Sequence, residues 1–234
     1  MKGWCFLTDS LSLQPPMAIG VLVSGSGSNL QAIIDGCAEG TIPGQVTIVI
    51  SNKDGVLALE RARKAGIATA VVENSRVGGR EAFEKNLAEI LDRYGVQLIC
   101  LAGFMRILSP WFVRRFAGRI LNIHPALLPA FPGLEVQKRA VAAGVRFSGA
   151  TVHFVDDGVD TGPIVIQAVV PVLPGDDAKS LAARILVQEH RIYPQAVRWY
   201  AQGRLRLVDG KVLLEGGDGA VEEGKKAWIH PPVS

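Results

Sequence analysis

MAIGVLVSGSGSNLQAIIDG, residues 17–36, decides the fold. A β-branched apolar run ends in Ser24-Gly25-Ser26-Gly27-Ser28-Asn29 and passes into a stretch with apolar residues at helical spacing, so a strand feeds a helix through a glycine-rich turn. The pattern repeats downstream. Strands are expected at 18–23, 46–51, 69–72, 97–102 and 119–123, with helices near 28–38, 57–65, 80–94 and 109–117 between them, the signature of βαβ units in a parallel sheet. After Asn122 the residues Pro125, Pro129, Pro132 and Gly133 interrupt regular structure, which marks an ordered functional loop or a linker. A helix near 135–143, strands at 149–155 and 164–171, and a long helix near 177–202 opened by Asp176-Asp177 follow. RLRLVDGKVLLEG (204–216) reads as a hairpin around Asp209-Gly210. The fold class is α/β and Rossmann-like: a mostly parallel central sheet with helices on both faces and antiparallel additions in the C-terminal part.

The chain has 234 residues, 48% hydrophobic, enough to bury a core in one large α/β domain. Its net charge of +3 is no basic stripe and gives no ground for nucleic-acid binding. Cys5, Cys37 and Cys100 have no C-x-x-C spacing and suggest no disulfide framework, so a reducing, cytoplasmic setting is expected. Residues 1–16 are too polar for a secretory signal and too short to span a bilayer. They read as an N-terminal extension, disordered by composition, with Met17 an alternative start. Residues 216–234 read as a mobile tail.

Three groups of residues bear on chemistry. The turn 24–29 lies beyond the carboxyl end of a strand and at a helix N-terminus, where backbone N–H groups meet a phosphate. It lacks the third glycine of G-x-G-x-x-G and the Lys of a P-loop, so a terminal monophosphate suits it better than a pyrophosphate. The alternative is a plain tight turn with a Ser28 or Asn29 helix cap. Asn122 and His124 alternate onto one face at the end of the fifth strand and offer oxyanion stabilisation with proton transfer; a structural histidine is the competing reading. A carboxylate to orient the imidazole is available from Asp156, Asp157 or Asp160 in HFVDDGVDTGP. No His/Cys/Asp cluster has metal-ligand spacing, so a site without metal is expected.

SGSGSNLQAII, ISNKDG, LERARKAGI, LAGFMRILSP, LNIHPALLPAFPG, SGATVHFVDDGVDTGPIV and QEHRIYP stand in the order found in phosphoribosylglycinamide formyltransferases. The chain resembles that family over about residues 17–208. The resemblance implies a single formyltransferase domain over 17–215, with a phosphate-binding half at about 17–118 and a folate and catalytic half at about 119–215. It also implies transfer of a formyl group from 10-formyltetrahydrofolate, a cosubstrate, to the amine of phosphoribosylglycinamide. By the same resemblance Gly27, Ser28 and Asn29 hold the phosphate and Glu189 the ribose. Met105, Arg106, Ile107, Leu108 and the loop Asp156, Asp157, Gly158, Val159, Asp160 take the pterin, together with Asn122, and Arg80 reaches the glutamate tail. Asn122, His124 and Asp160 match the catalytic trio. Small-molecule substrates are the implied partners, with no nucleic acid or membrane, in a monomer or homodimer.

The sequence departs from the family at Ser26, where Asn is frequent, at Ala126, where Ser is common, and in the extension. Formyltetrahydrofolate hydrolases share the trio but carry an N-terminal regulatory domain that sixteen residues do not build. Methionyl-tRNA formyltransferases append a basic C-terminal domain. A non-catalytic phosphosugar-binding module would need the turn but not the trio.

Overall fold

A computed structural model describes residues 15–73 and 78–216. In chain order the elements are β1 (Met17–Val23), α1 (Ser28–Ala38), β2 (Gly44–Ser51), α2 (Leu57–Lys64), β3 (Ala68–Val71), α3 (Arg80–Arg93), β4 (Leu98–Leu101), α4 (Pro110–Arg115) and β5 (Ile120–His124). They continue with α5 (Val136–Ala142), β6 (Phe147–Phe154), β7 (Ile164–Pro171), α6 (Ala178–Ala201), β8 (Leu205–Val208) and β9 (Lys211–Leu214). Most of the extension (1–14), Cys5 and all of the expected tail beyond Gly216 lie outside the described residues.

The central sheet has seven strands in the order β3-β2-β1-β4-β5-β6-β7. β1 to β5 run parallel, and β6 and β7 join antiparallel. Alternation in β1 shows why both faces carry helices. Ile19, Val21 and Val23 pack with α1, α2 and α6, while Leu22 packs on the opposite face with residues of α3 and α4. Such strands are buried on both sides, which explains their near-continuous apolar runs.

Helix ends follow local chemistry. Asp177 caps α6 by accepting from Ser180 N at 2.7 Å, and the Ser180 hydroxyl accepts from Asp177 N at 3.0 Å, a reciprocal capping box. Ser109 caps α4 ahead of Pro110, so that helix starts one residue later than the hydrophobic pattern suggests. Asp209 and Gly210 both have positive φ (48° and 73°), the backbone of a two-residue hairpin turn between β8 and β9.

The strand order reverses beside β1, which pairs with β2 on one side and β4 on the other. Open α/β sheets bind ligands in the crevice beyond the carboxyl ends of strands at such a switch point. The segments after β1, β4 and β5 meet there. The Ser24 hydroxyl ties the segments after β1, β2 and β4 together, donating to Asn52 Oδ1 at 2.6 Å and accepting from Met105 N at 2.8 Å. Tyr193 of α6 is fully buried with its hydroxyl 3.0 Å from both Leu101 O and Leu121 O, which anchors α6 beneath β4 and β5.

Candidate active site

The turn after β1 is built to face outward with its N–H groups. Gly27 is the N-cap of α1 in a left-handed conformation (φ 72°, ψ 29°), and no side chain caps the helix. A Ser28 or Asn29 side-chain cap is therefore excluded, and the first-turn donors remain open to an anion. A Cβ on Gly27 would lie 2.6 Å from Ala58 Cβ, so glycine is required both by φ and by the approach of α2.

Asn29 and Glu189 come together although 160 positions separate them, with Asn29 Nδ2 donating to Glu189 Oε2 at 2.7 Å. Both are buried, and Asn29 Oδ1 has no partner. Burial pushes the Glu189 carboxyl up, an effect offset in part by the Asn29 amide and by the charge of His124. A carboxylate and an orphaned amide oxygen on one wall are acceptors, suited to a ligand rich in hydroxyl donors.

At the end of β5, His124 Nδ1 lies 3.3 Å from Asp160 Oδ2, and its Nε2 lies 2.9 Å from Phe131 O. Both partners are acceptors, and they are satisfied together when each ring nitrogen carries a proton. Asp160 is held for this role. Its Oδ2 also accepts from Gly133 N at 2.8 Å, and its own φ is 56°. The next turn closes over the end of β6, where a Cβ on Gly162 would stand 1.9 Å from Phe154 O. Asp156 instead stabilises its own loop, accepting from Gly158 N at 3.1 Å and Thr161 Oγ1 at 2.7 Å. Asp157 pairs with Arg114 at 3.3 Å on the surface. Of the three acids open to the imidazole in the sequence, Asp160 is the one at His124.

A fourth residue joins this group, His153 of β6, which sequence reasoning did not single out. It lies opposite Asn122 in the antiparallel register, with Nε2 3.1 Å from Asn122 Nδ2 and 3.7 Å from Asp160 Oδ1. His153 Nδ1 is 2.8 Å from the Phe154 carbonyl, which can only accept. Nδ1 therefore carries the proton, and Nε2 accepts from the Asn122 amide. Burial holds His153 below the usual histidine range, in keeping with this neutral tautomer. The amide orientation of Asn122 is thereby set, with one N–H used and the other without a partner among the described residues.

The proline-rich segment is an ordered loop. Thr151 Oγ1, opposite His124 in the register, donates to Ala126 O at 2.6 Å and accepts from Leu128 N at 3.1 Å. Arg139 donates to Pro132 O at 2.5 Å and lies over the Phe131 ring, fixing the stretch that delivers the Phe131 carbonyl to His124.

The segment after β4 presents Met105 and Ile107 at 64% and 66% exposure, an apolar strip. Leu108 is buried, and Arg106 stacks over Phe83 at 5.0 Å. Arg80 reaches this strip, donating to Ile107 O at 3.0 Å, while Glu84 accepts from Ser109 N at 2.7 Å. Val159 adds a further exposed apolar side chain from the loop after β6. Exposed apolar side chains flanked by buried polar groups suit a flat, partly apolar ligand. A separate cavity of about 1280 Å³ opens at the amino ends of β1 and β2, lined by Met17, Ile34, Cys37 and Tyr200 among others, and contains none of the anticipated site residues.

The formyl transferase family profile matches residues 17–197. The phosphoribosylglycinamide formyltransferase of Escherichia coli (strain K12) is 50% identical over 200 residues, covering 86% of this chain and 94% of that protein. The chain belongs to the phosphoribosylglycinamide formyltransferases. A solved member of this family, the glycinamide ribonucleotide transformylase 1 of Symbiobacterium toebii, superposes with a TM-score of 0.85 at 53% identity, over 88% of this chain and 98% of the other. The trifunctional purine biosynthetic protein adenosine-3 of Drosophila pseudoobscura pseudoobscura is 51% identical over 203 residues, spanning 86% of this chain but 15% of that longer protein. The Rossmann-like sheet expected from the βαβ pattern is thus a formyltransferase fold. No helix among the described residues is long and apolar enough to cross a membrane.

Proposed function

We infer that the chain transfers the formyl group of 10-formyltetrahydrofolate to the amine of phosphoribosylglycinamide, giving phosphoribosyl-N-formylglycinamide and tetrahydrofolate in purine biosynthesis. The observation that carries this reading is the convergence of Asn122, His124, His153 and Asp160 in one crevice with the open turn at Gly27 and the Asn29–Glu189 pair. In this reading the domain spans 17–215. Gly27, Ser28 and Asn29 bind the phosphate, and Glu189 with Asn29 Oδ1 receives the ribose hydroxyls. Met105 to Leu108 and Asp156 to Asp160 flank the formyl donor, with Arg80 at its acidic tail. Their exposed apolar strip beside polar backbone fits a flat heteroaromatic substrate.

The substrate amine attacks the formyl carbon directly. As the new C–N bond forms, the carbonyl electron pair moves to oxygen, and the free N–H of Asn122 stabilises that charge. His124 Nε2–H adds a second donor once the formyl oxygen takes the place of the Phe131 carbonyl. The carbonyl then re-forms, the bond to the folate nitrogen breaks, and the amine proton passes to that nitrogen with Asp160 assisting through water. His153 keeps the Asn122 amide in its donating orientation. Holding both reactants in one crevice supplies much of the acceleration.

The test is a spectrophotometric deformylation assay on the purified chain with and without phosphoribosylglycinamide. Turnover that requires the amine supports the transferase. Conversion in water alone would make it a hydrolase, and binding without turnover would leave only a phosphosugar-binding module.

A further inference from the structure

An anion-binding turn has to present its N–H groups and turn its carbonyl oxygens away. Here each carbonyl from Gly25 to Gly27 has a donor. Gly25 O accepts from Ala58 N at 3.1 Å, Ser26 O from Arg61 Nε at 2.9 Å, and Gly27 O from Gln31 N at 2.9 Å. The first two donors come from α2, a helix that contributes none of the residues assigned to substrate. Ala58 packs directly beneath Gly27, where a Cβ would meet it at 2.6 Å. Arg61 extends the brace to α1, its Nη1 donating to Gln31 Oε1 at 3.3 Å.

Core packing does not account for the pose of Arg61. Its side chain borders a cavity of about 460 Å³ between α1, α2 and α6, which Ser28, Gln31 and His190 also line. Its two hydrogen bonds therefore set its position, and through them it touches both the turn and the first helix. The guanidinium also places a permanent positive charge behind a turn whose own side chains carry none.

We propose that Arg61 is a positioning residue for the substrate phosphate, holding the Ser26 carbonyl away from the anion and fixing the turn against α1. The proposal rests on the reading of the turn as the phosphate site. It places the determinant of phosphate affinity on α2, one layer behind the groups that touch the ligand, and it separates binding of the phosphorylated substrate from the chemistry at His124.

The experiment compares the parent with Arg61→Met and Arg61→Lys. KM for phosphoribosylglycinamide, KM for formyl folate, kcat and the competitive inhibition constant of inorganic phosphate are measured for each. Loss of a charged hydrogen bond predicts that Arg61→Met raises KM for the phosphorylated substrate and the inhibition constant of phosphate together, by roughly tenfold or more. kcat and the folate KM hold within about twofold, a split that general destabilisation would not produce. Arg61→Lys, which keeps the charge and one donor, recovers most of the loss. Unchanged constants in Arg61→Met, or parallel changes in kcat and folate KM, would overturn the proposal. Calorimetric titration of each variant with inorganic phosphate still decides the role of Arg61 if the parent shows no amine-dependent turnover, so that failure of the functional reading is read separately.

Discussion

Substituting Gly27 by alanine tests the architecture of the phosphate turn most directly. At φ 72° and ψ 29° an L-residue is in the left-handed region, at a cost of about 1–2 kcal/mol. The added Cβ would stand 2.6 Å from Ala58 Cβ and 2.7 Å from Ala58 Cα. Carbon atoms rest at about 3.5–4.0 Å, so α2 would have to retreat by about 1 Å. Neither contact is the end of a flexible side chain, and overpacking of this kind adds about 1–3 kcal/mol. The two contributions give about 2–5 kcal/mol, which for a chain of this size lowers Tm by roughly 4–20 °C. The retreat of α2 also strains the bonds from Ala58 N to Gly25 O and from Arg61 to Ser26 O. Affinity for the phosphorylated substrate should fall with stability, by about tenfold or more in KM. Scanning fluorimetry and steady-state kinetics on the same preparation read both effects. A variant melting within about 2 °C of the parent with unchanged KM would refute the reasoning.

Replacing His124 by alanine should lower kcat by about 100- to 1,000-fold with substrate KM little changed, as for loss of one oxyanion donor; equal activity in single-turnover assays would remove His124 from the chemistry. His153→Gln should lower kcat roughly tenfold or more by releasing the Asn122 amide, and a kcat equal to the parent's would mean that Asn122 needs no such partner. The same variant tests a pH effect. Burial lowers the His153 pKa in the folded state, so the unfolded chain binds the proton more readily, and this group's contribution to stability is present above about pH 6.5 and lost as pH falls through the folded value. Tm measured between about pH 7 and pH 5 should fall less steeply in His153→Gln than in the parent, and parallel slopes would count against it. Tyr193→Phe, which deletes the hydroxyl shared by Leu101 O and Leu121 O, should cost about 1–3 kcal/mol by leaving buried carbonyls unpaired; an unaltered urea midpoint would contradict this.

Much of the fold was legible before any coordinates, because its signals are local. Strand, turn and helix alternate with their own periodicities, and Asp177, Gly27 and Asp209-Gly210 act within a few residues of themselves. The order of βαβ units implies a parallel sheet because right-handed crossovers leave few other arrangements. The turn at 24–29 and the Asn122–His124 pair were readable for the same reason: each occupies one strand end. Assigning folate contacts to Met105–Leu108 and Asp156–Asp160 needed the resemblance to a family, since nothing in their spacing specifies a pterin.

Other features were decided by distance in the fold. Local spacing offered Asp156, Asp157 and Asp160 to the imidazole and only the family resemblance named Asp160; in the fold its positive φ and its bond from Gly133 N hold it at His124. His153 carried no signal in its own segment. Its role depends on the register that sets it opposite Asn122, and an antiparallel register is a property of two strands rather than of either sequence. Arg61 behind the turn and Glu189 beside Asn29 follow the same rule, brought into place by helices whose apolar faces pack on one side of the sheet. What the sequence determined by itself was the set of elements and the chemical groups at their ends. Which of those groups meet was decided by packing, because hydrogen bonds and ion pairs act over a few ångströms and only the folded chain brings distant residues that close.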